Sequence, residues 1–190
     1  MAKKIWHKPG QLKLNQQVEE FLASDDVQTD MHLAVYDVQG SLGHAQALYQ
    51  SKLLTKAEYQ KIKKGLLGIL HKATQGKITI AAADEDIHTV VEALLHKAIG
   101  PTAGKLHTCR SRNDQVLTDI RLYSKAHLKK IMQAVLQTAE QCVICADAHK
   151  SVSMPGYTHM QPAMPSSVGL WADSFAENLL ANFDTLLDAY

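Results

Sequence analysis

Apolar residues recur at helical spacing along most of this chain. Tyr59, Ile62, Leu66, Ile69 and Ala73 fall three or four apart; Thr55 and Glu58 precede them as a capping-box pair, and Gly76 marks the stop. Ile87, Val91, Leu94 and Ala98 define the next helix. Asp84, Glu85 and Asp86 load its first turn, and Gly100-Pro101 ends it. An earlier helix is predicted over 27–51, interrupted at Gly40 and Gly43. From Gly104 to Pro155 neither glycine nor proline intervenes. Leu117, Ile120, Leu128, Ile131, Val135, Ala139, Cys142 and Ala146 there trace a helix of about 35 residues, roughly 50 Å long. Asn113 and Asp114 signal its start and Lys150 its end. Val168, Trp171, Phe175, Leu179, Phe183, Leu186 and Tyr190 outline another long helix, still periodic at the last residue, as in a chain cut mid-helix. Only residues 77–81 read as extended, too few to found a sheet. The fold class is all-α: a small helical N-terminal domain over 1–105, then long helices over 106–190. Helices of that length suit a bundle or an oligomer core.

Composition narrows the function classes. The chain has 190 residues, 46% of them hydrophobic, and 20 Lys+Arg against 19 Asp+Glu give a net charge of +1. Normal apolar content and near-zero charge exclude intrinsic disorder. The absence of excess positive charge argues against a nucleic-acid partner. No run of 18 apolar residues offers a membrane span. The stretch from Met1 to Gln11 is basic without an apolar core, unlike a secretory signal, so a cytoplasmic location is expected. The three cysteines build no disulfide framework. Cys142 and Cys145 form a C-x-x-C, but within a helical apolar pattern they read as core-facing thiols one turn apart rather than as zinc or redox ligands.

Four segments carry chemistry. Gly104-Lys-Leu-His-Thr-Cys-Arg-Ser-Arg-Asn-Asp-Gln115 sets Arg110, Ser111, Arg112 and Asn113 immediately before the long helix. Exposed N–H groups at a helix start favour anions, and a guanidinium grips a carboxylate through two parallel bonds. A capped helix with solvated arginines explains the same residues equally well. Met154-Pro-Gly-Tyr-Thr-His-Met-Gln-Pro-Ala-Met-Pro165 reads as a stiff, irregular connection between the long helices. It holds Thr158, His159 and Gln161, and His159 is the residue type that titrates near neutrality. The other reading of this segment is a demanding turn whose His bonds only backbone. Asp84-Glu-Asp-Ile-His88 is explained by helix capping, and Asp37-Val-Gln-Gly-Ser-Leu-Gly-His44 by close packing at its glycines, with Ser41 and His44 on one face. From the residues alone, a small-molecule lyase or hydrolase and a helical assembly module both fit.

Taken together, the four segments resemble the argininosuccinate lyase family, within the wider fumarase/aspartase superfamily. Gly104 to Gln115 is similar to that family's G-K-L-H-T-G-R-S-R-N-D-Q, and Met154 to Pro165 to its P-G-Y-T-H-x-Q. Glu85-Asp-Ile-His88 and Asp37-x-x-Gly-Ser41 fall in the same order. The resemblance implies the superfamily's lyase fold, truncated, with 106–190 as the first part of its central bundle. It implies reversible β-elimination of argininosuccinate to arginine and fumarate in arginine biosynthesis, with no cofactor and no metal. Ser111, Arg112 and Asn113 match substrate-binding positions and Thr158 a substrate contact. His159 matches the histidine of proton transfer; His88 and Gln161 would support the site. It further implies a cytoplasmic homotetramer whose active sites are shared between subunits, with neither nucleic acid nor membrane as partner.

The departures are specific. Cys109 stands where the family has glycine, which bears on the loop conformation. Trp6-His-Lys-Pro reduces the family's opening motif, Asp26 replaces a substrate-contacting serine, and Gly169-Leu-Trp171 replaces a Gly-His pair. No Ser-rich catalytic loop occurs in the 190 residues, so the isolated chain is expected to be inactive. Adenylosuccinate lyase is the rival enzyme, disfavoured by the Arg-Ser-Arg-Asn-Asp run. A non-catalytic, crystallin-like protein or helical assembly module is the rival of another class.

Overall fold

The computed structural model describes residues 29–190 apart from Ala82, Ala83 and Glu85. The predicted helix start at Val27, the place of Glu85, and the departures at 6–9 and at Asp26 lie outside the described residues. The chain divides into two compact units, Met1–Tyr123 and Ser124–Tyr190. Five α-helices and one two-stranded sheet occur among the described residues.

In the first unit, a 3-10 turn over Met31–Leu33 leads into α1, Ala34–Gln50, which runs unbroken through Gly40 and Gly43. The expected interruption is absent because Gly40 serves packing rather than bending. A Cβ there would come 3.1 Å from Asp119 Oδ1 and 3.4 Å from Thr118 Cγ2. α2 spans Lys56–Thr74. Its predicted capping box is complete, with Thr55 Oγ1 accepting from the Glu58 N–H and Glu58 accepting from the Thr55 N–H. Gly76, at φ +66°, follows its C-terminus. α3 spans Ile87–Ile99, where Asp86 Oδ1 accepts from the Thr89 N–H at 2.6 Å. Its buried face continues through Leu95 and Ile99 rather than Leu94 and Ala98. Gly100 ends it, and Pro101 lies in the 3-10 helix Gly100–His107. The core joins Val38, Leu48, Ile62, Leu66, Ile87, Leu95 and Leu106. Ile78 is buried against it although residues 77–81 form no strand.

α4, Arg112–Ala148, is 37 residues long, or roughly 55 Å. It begins in the first unit and continues into the second. There a hairpin follows, pairing β1, Ser153–Thr158, with β2, Gln161–Ser167, antiparallel. The connection predicted to be irregular is a paired ladder whose register shifts between Gly156 and Tyr157. Its prolines are compatible because a two-stranded sheet has only edge strands, and Pro155 faces Pro165 across the pair. α5, Val168–Ala189, starts where Ser167 Oγ accepts from the Leu170 N–H.

Candidate functional site

The start of α4 is built by Ser111. Its Oγ accepts from the Asn113 N–H at 3.2 Å, while Asp114 Oδ2 accepts from the Ser111 N–H at 3.1 Å. The helix thus begins earlier than Asn113 and Asp114 signal, through a reciprocal cap. Ser111 and Asn113 are exposed. Arg112 is held from several sides: Nε lies 3.4 Å from Asp86 Oδ2, Nη2 is 3.4 Å from Thr89 Oγ1, and Nη1 donates to Gln115 Oε1 at 3.4 Å. Arg110 turns inward, its Nη1 donating to Ser41 Oγ at 3.0 Å. Ser111, Arg112 and Asn113 are therefore adjacent, with the two arginines pointed to different partners.

Beneath them lies a fully buried polar cluster. His88 Nδ1 is 3.0 Å from Asp37 Oδ1 and 3.4 Å from Asp119 Oδ2, and Gln115 Nε2 donates to Asp37 Oδ1. One ring nitrogen carries one proton, so only one of the two carboxylates can receive it. Among the described residues, Asp37 Oδ2 and both Asp119 oxygens are buried without a hydrogen-bond partner. Burial, with the Asp37 charge beside it, pushes the Asp119 carboxyl up to about 7. Burial lowers the His88 imidazole, but the hydrogen bond and charge of Asp37, with Asp86 and Asp119, outweigh it and leave His88 raised. Asp37, His88 and Asp119 also bring one ligand atom each within 4.8 Å. A small cleft of about 10 Å³, room for one water, is lined by Ser41, His88, Arg110, Arg112 and Gln115 among others. Asp37, Ser41, Gln115 and Asp119 are functional candidates that packing arguments passed over. The available signal was polar residues one helical turn apart, 37 with 41 and 115 with 119, on faces that close packing would bury.

Thr158, His159 and Gln161 belong to the second unit. Thr158 pairs with Gln161, and His159 with Met160 forms the two-residue loop of the hairpin. Both loop residues have positive φ, +48° and +61°, the signature of a type I′ turn. His159 stands exposed at the tip. Cys142 and Cys145 are half-buried on α4 rather than core-facing. His149, one turn beyond, brings Nδ1 to 3.8 Å from Cys145 Sγ.

Comparison with known proteins bears on all of these segments at once. A family model described as lyase matches residues 15–190. The chain belongs to the lyase family. Among curated relatives, the argininosuccinate lyase of Bacteroides thetaiotaomicron is 38% identical over 190 residues, covering 100% of this chain and 42% of the relative. That of Streptococcus suis (strain 05ZYH33) is 43% identical over 183 residues, covering 96% and 38%. The chain spans about two fifths of the length of these relatives. Among solved structures, an EDDS lyase variant with bound fumarate aligns at a TM-score of 0.73 with 27% identity, covering 94% of this chain and 35% of that one. A fumarate lyase, delta crystallin, from Brucella melitensis aligns at 0.73 with 16% identity, covering 93% and 46%, and speaks for the fold alone. The lyase match takes in the α4 start, the buried cluster and the hairpin. No helix among the described residues is long and apolar enough to cross a membrane.

Proposed function

We propose that the whole protein is an argininosuccinate lyase, cleaving argininosuccinate reversibly to arginine and fumarate in arginine biosynthesis. The observation that carries this reading is the match, at 36–43% identity along essentially the whole chain, to relatives bearing that name. Fumarate bound to a structural neighbour at 27% identity supports the same product class. In this reading the active sites are shared between subunits, with the segments around Asn113 and Thr158 coming from different subunits. Ser111, Arg112 and Asn113 receive a substrate carboxylate at the N-terminus of α4, where the helix dipole and the guanidinium charge favour an anion. Thr158 contacts substrate, and His159 takes part in proton transfer; His88 and Gln161 support them.

The chemistry follows from charge. A proton leaves the carbon next to a carboxylate, and its electron pair delocalises into that carboxylate. The pair then forms the double bond of fumarate as the C–N bond breaks, and a proton delivered to the departing nitrogen releases arginine with its guanidinium restored. Cations and donors fixed around the carboxylate lower the barrier. The working unit in this reading is a cytoplasmic homotetramer whose subunits share active sites, needing neither cofactor nor metal. Residues 1–105 serve as its N-terminal domain and 106–190 as the first part of its bundle.

The test is turnover by the full-length protein. Fumarate and arginine are expected from argininosuccinate, and no fumarate from adenylosuccinate; the reverse preference would overturn the assignment. His159→Asn is expected to abolish turnover with the oligomer intact, and wild-type activity in that variant would remove His159 from the site.

A further inference from the structure

Arg112 is the cation nearest the proposed carboxylate site, yet its guanidinium is already committed to protein partners. The way one of those partners is oriented reaches into the core. The Asp37 carboxylate, buried on α1, only accepts hydrogen bonds when ionised. Its Oδ1 already faces His88 Nδ1 from α3, and the second donor it receives is the Gln115 side-chain amide from α4. An amide carries its donor and its acceptor on opposite arms. Turning the NH2 arm to Asp37 leaves Oε1 facing the other way, where Arg112 Nη1 donates to it. Arginine is a donor only, so the order carboxylate, amide, guanidinium pairs these groups in one direction and in no other.

We propose that Gln115 is a positioning residue: the buried Asp37 carboxylate fixes the orientation of its amide, and the amide in turn aims the Arg112 guanidinium at the start of α4. A glutamine is the residue type suited to this place. An ionised glutamate would oppose Asp37, and an apolar side chain would cost each neighbour one of its partners. Asp86 and Thr89 hold the far side of the guanidinium, and Glu92 Oε2 lies 4.0 Å from Nη2, so Gln115 supplies the hold from α4 itself. This deepens the lyase reading above, on which it rests only for what Arg112 meets when ligand binds.

The chemistry supplies its own discriminating variant. A protonated glutamate has the same donor-and-acceptor arrangement as glutamine, whereas an ionised one has acceptors alone. Among the described residues, the charged and titratable groups around position 115 are Asp37 and His44 on α1, His88 and Glu92 on α3 with Asp86 at its cap, His107, Cys109 and Arg110 before α4, and Arg112, Asp114 and Asp119 on it. Beside Asp37 and in the core, a glutamate at 115 would titrate above its ordinary value of about 4.3.

The readout is the Arg112 Nη1–H signal, from the group that donates to Gln115 Oε1, in low-temperature NMR spectra of the 190-residue chain carrying 15N-arginine. In the wild type it is expected to be resolved and slow to exchange with water at every pH where the chain is folded. In Gln115→Leu, exchange is expected to be about tenfold faster, the equivalent of one charge-assisted hydrogen bond, at all pH values. In Gln115→Glu, the ionised side chain at about pH 8 keeps an acceptor for Arg112 but has no donor for Asp37, so its exchange ratio to the wild type at the same pH is expected to depart from one there and to return to one as the side chain protonates on acidification. A general packing defect would not recover in this way. Wild-type exchange in Gln115→Leu, or a Gln115→Glu signal that tracks the wild type at both ends of the pH range, would overturn the proposal. Should Gln115→Leu not fold, the pH response of Gln115→Glu decides alone. No lyase substrate enters the measurement, so failure of the enzyme assignment and failure of this inference are read separately.

Discussion

Cys109 occupies a backbone position with φ +56°, in the left-handed region that glycine enters freely and a side chain resists. The loop before α4 takes this conformation although the residue there carries a Cβ. Cys109→Gly is expected to stabilise the chain by about 0.5–1 kcal/mol. That is the left-handed cost relieved, less the extra freedom glycine gains when unfolded; a higher urea midpoint at unchanged slope would show it. Asp119 makes a second prediction at this scale. An unfolded aspartate ionises near 3.8 and the folded one near 7, so between those values only the folded chain retains the proton. Stability must then fall as pH rises through that window. The raised His88 acts in the same direction, because there too the folded chain keeps its proton longer. Asp119→Asn removes the carboxyl's share. Its advantage over the wild type is expected to grow from nothing near pH 4 to a plateau above about pH 7. A difference that does not change with pH would mean that Asp119 is ionised throughout. At this scale the sequence disclosed that Ser111, Arg112 and Asn113 are neighbours at a helix start. It did not disclose that Arg112 turns to Asp86 and Thr89 while Arg110 turns to Ser41, because side-chain direction depends on partners remote in sequence.

Among the elements, the helices were legible wherever a cap and a periodic face coincided. Thr55 with Glu58 and Asp86 ahead of Ile87 behave as read. The hairpin was not legible, for physical reasons. Pro155, Pro162 and Pro165 mask the two-residue alternation of a strand, and the turn lacks the Asn-Gly or Asp-Gly pair that announces a type I′ loop. His159 and Met160 take positive φ without glycine's licence, a local strain at the residue proposed for proton transfer. How the hairpin returns to α5 rests on a close approach. The Gly169 N–H donates to the His149 carbonyl at 3.2 Å, and a Cβ on Gly169 would lie 2.6 Å from Lys150 Cα and 2.7 Å from the Ala146 carbonyl oxygen. Backbone atoms cannot swing aside as side chains do. Gly169→Ala is therefore expected to cost about 2 kcal/mol or more and to loosen the α4–α5 junction, measurable as a lower thermal midpoint.

For the molecule as a whole, the long helices were foreseen but the surfaces they would bury were not available to them. Leu117, Ile120 and Ile131 on α4, and Trp171 and Phe175 on α5, lie on the predicted apolar stripes, yet all remain exposed. By contrast, α4 buries Gln115 and Asp119 in its first turns. Apolar periodicity identifies a face that seeks cover without saying whether the same chain provides it. The chain is accordingly expected to self-associate, with a mass in sedimentation equilibrium that rises with concentration; a monomer at every concentration would contradict this. The hairpin tip has a consequence of its own for following such assembly. Met160 is 96% exposed and directly adjoins His159. A thioether so placed is open to peroxide, which converts it to the sulfoxide. Its rate of oxidation is thus a chemical gauge of solvent contact at the tip: fast while His159 faces water, and slowed once another surface closes over it.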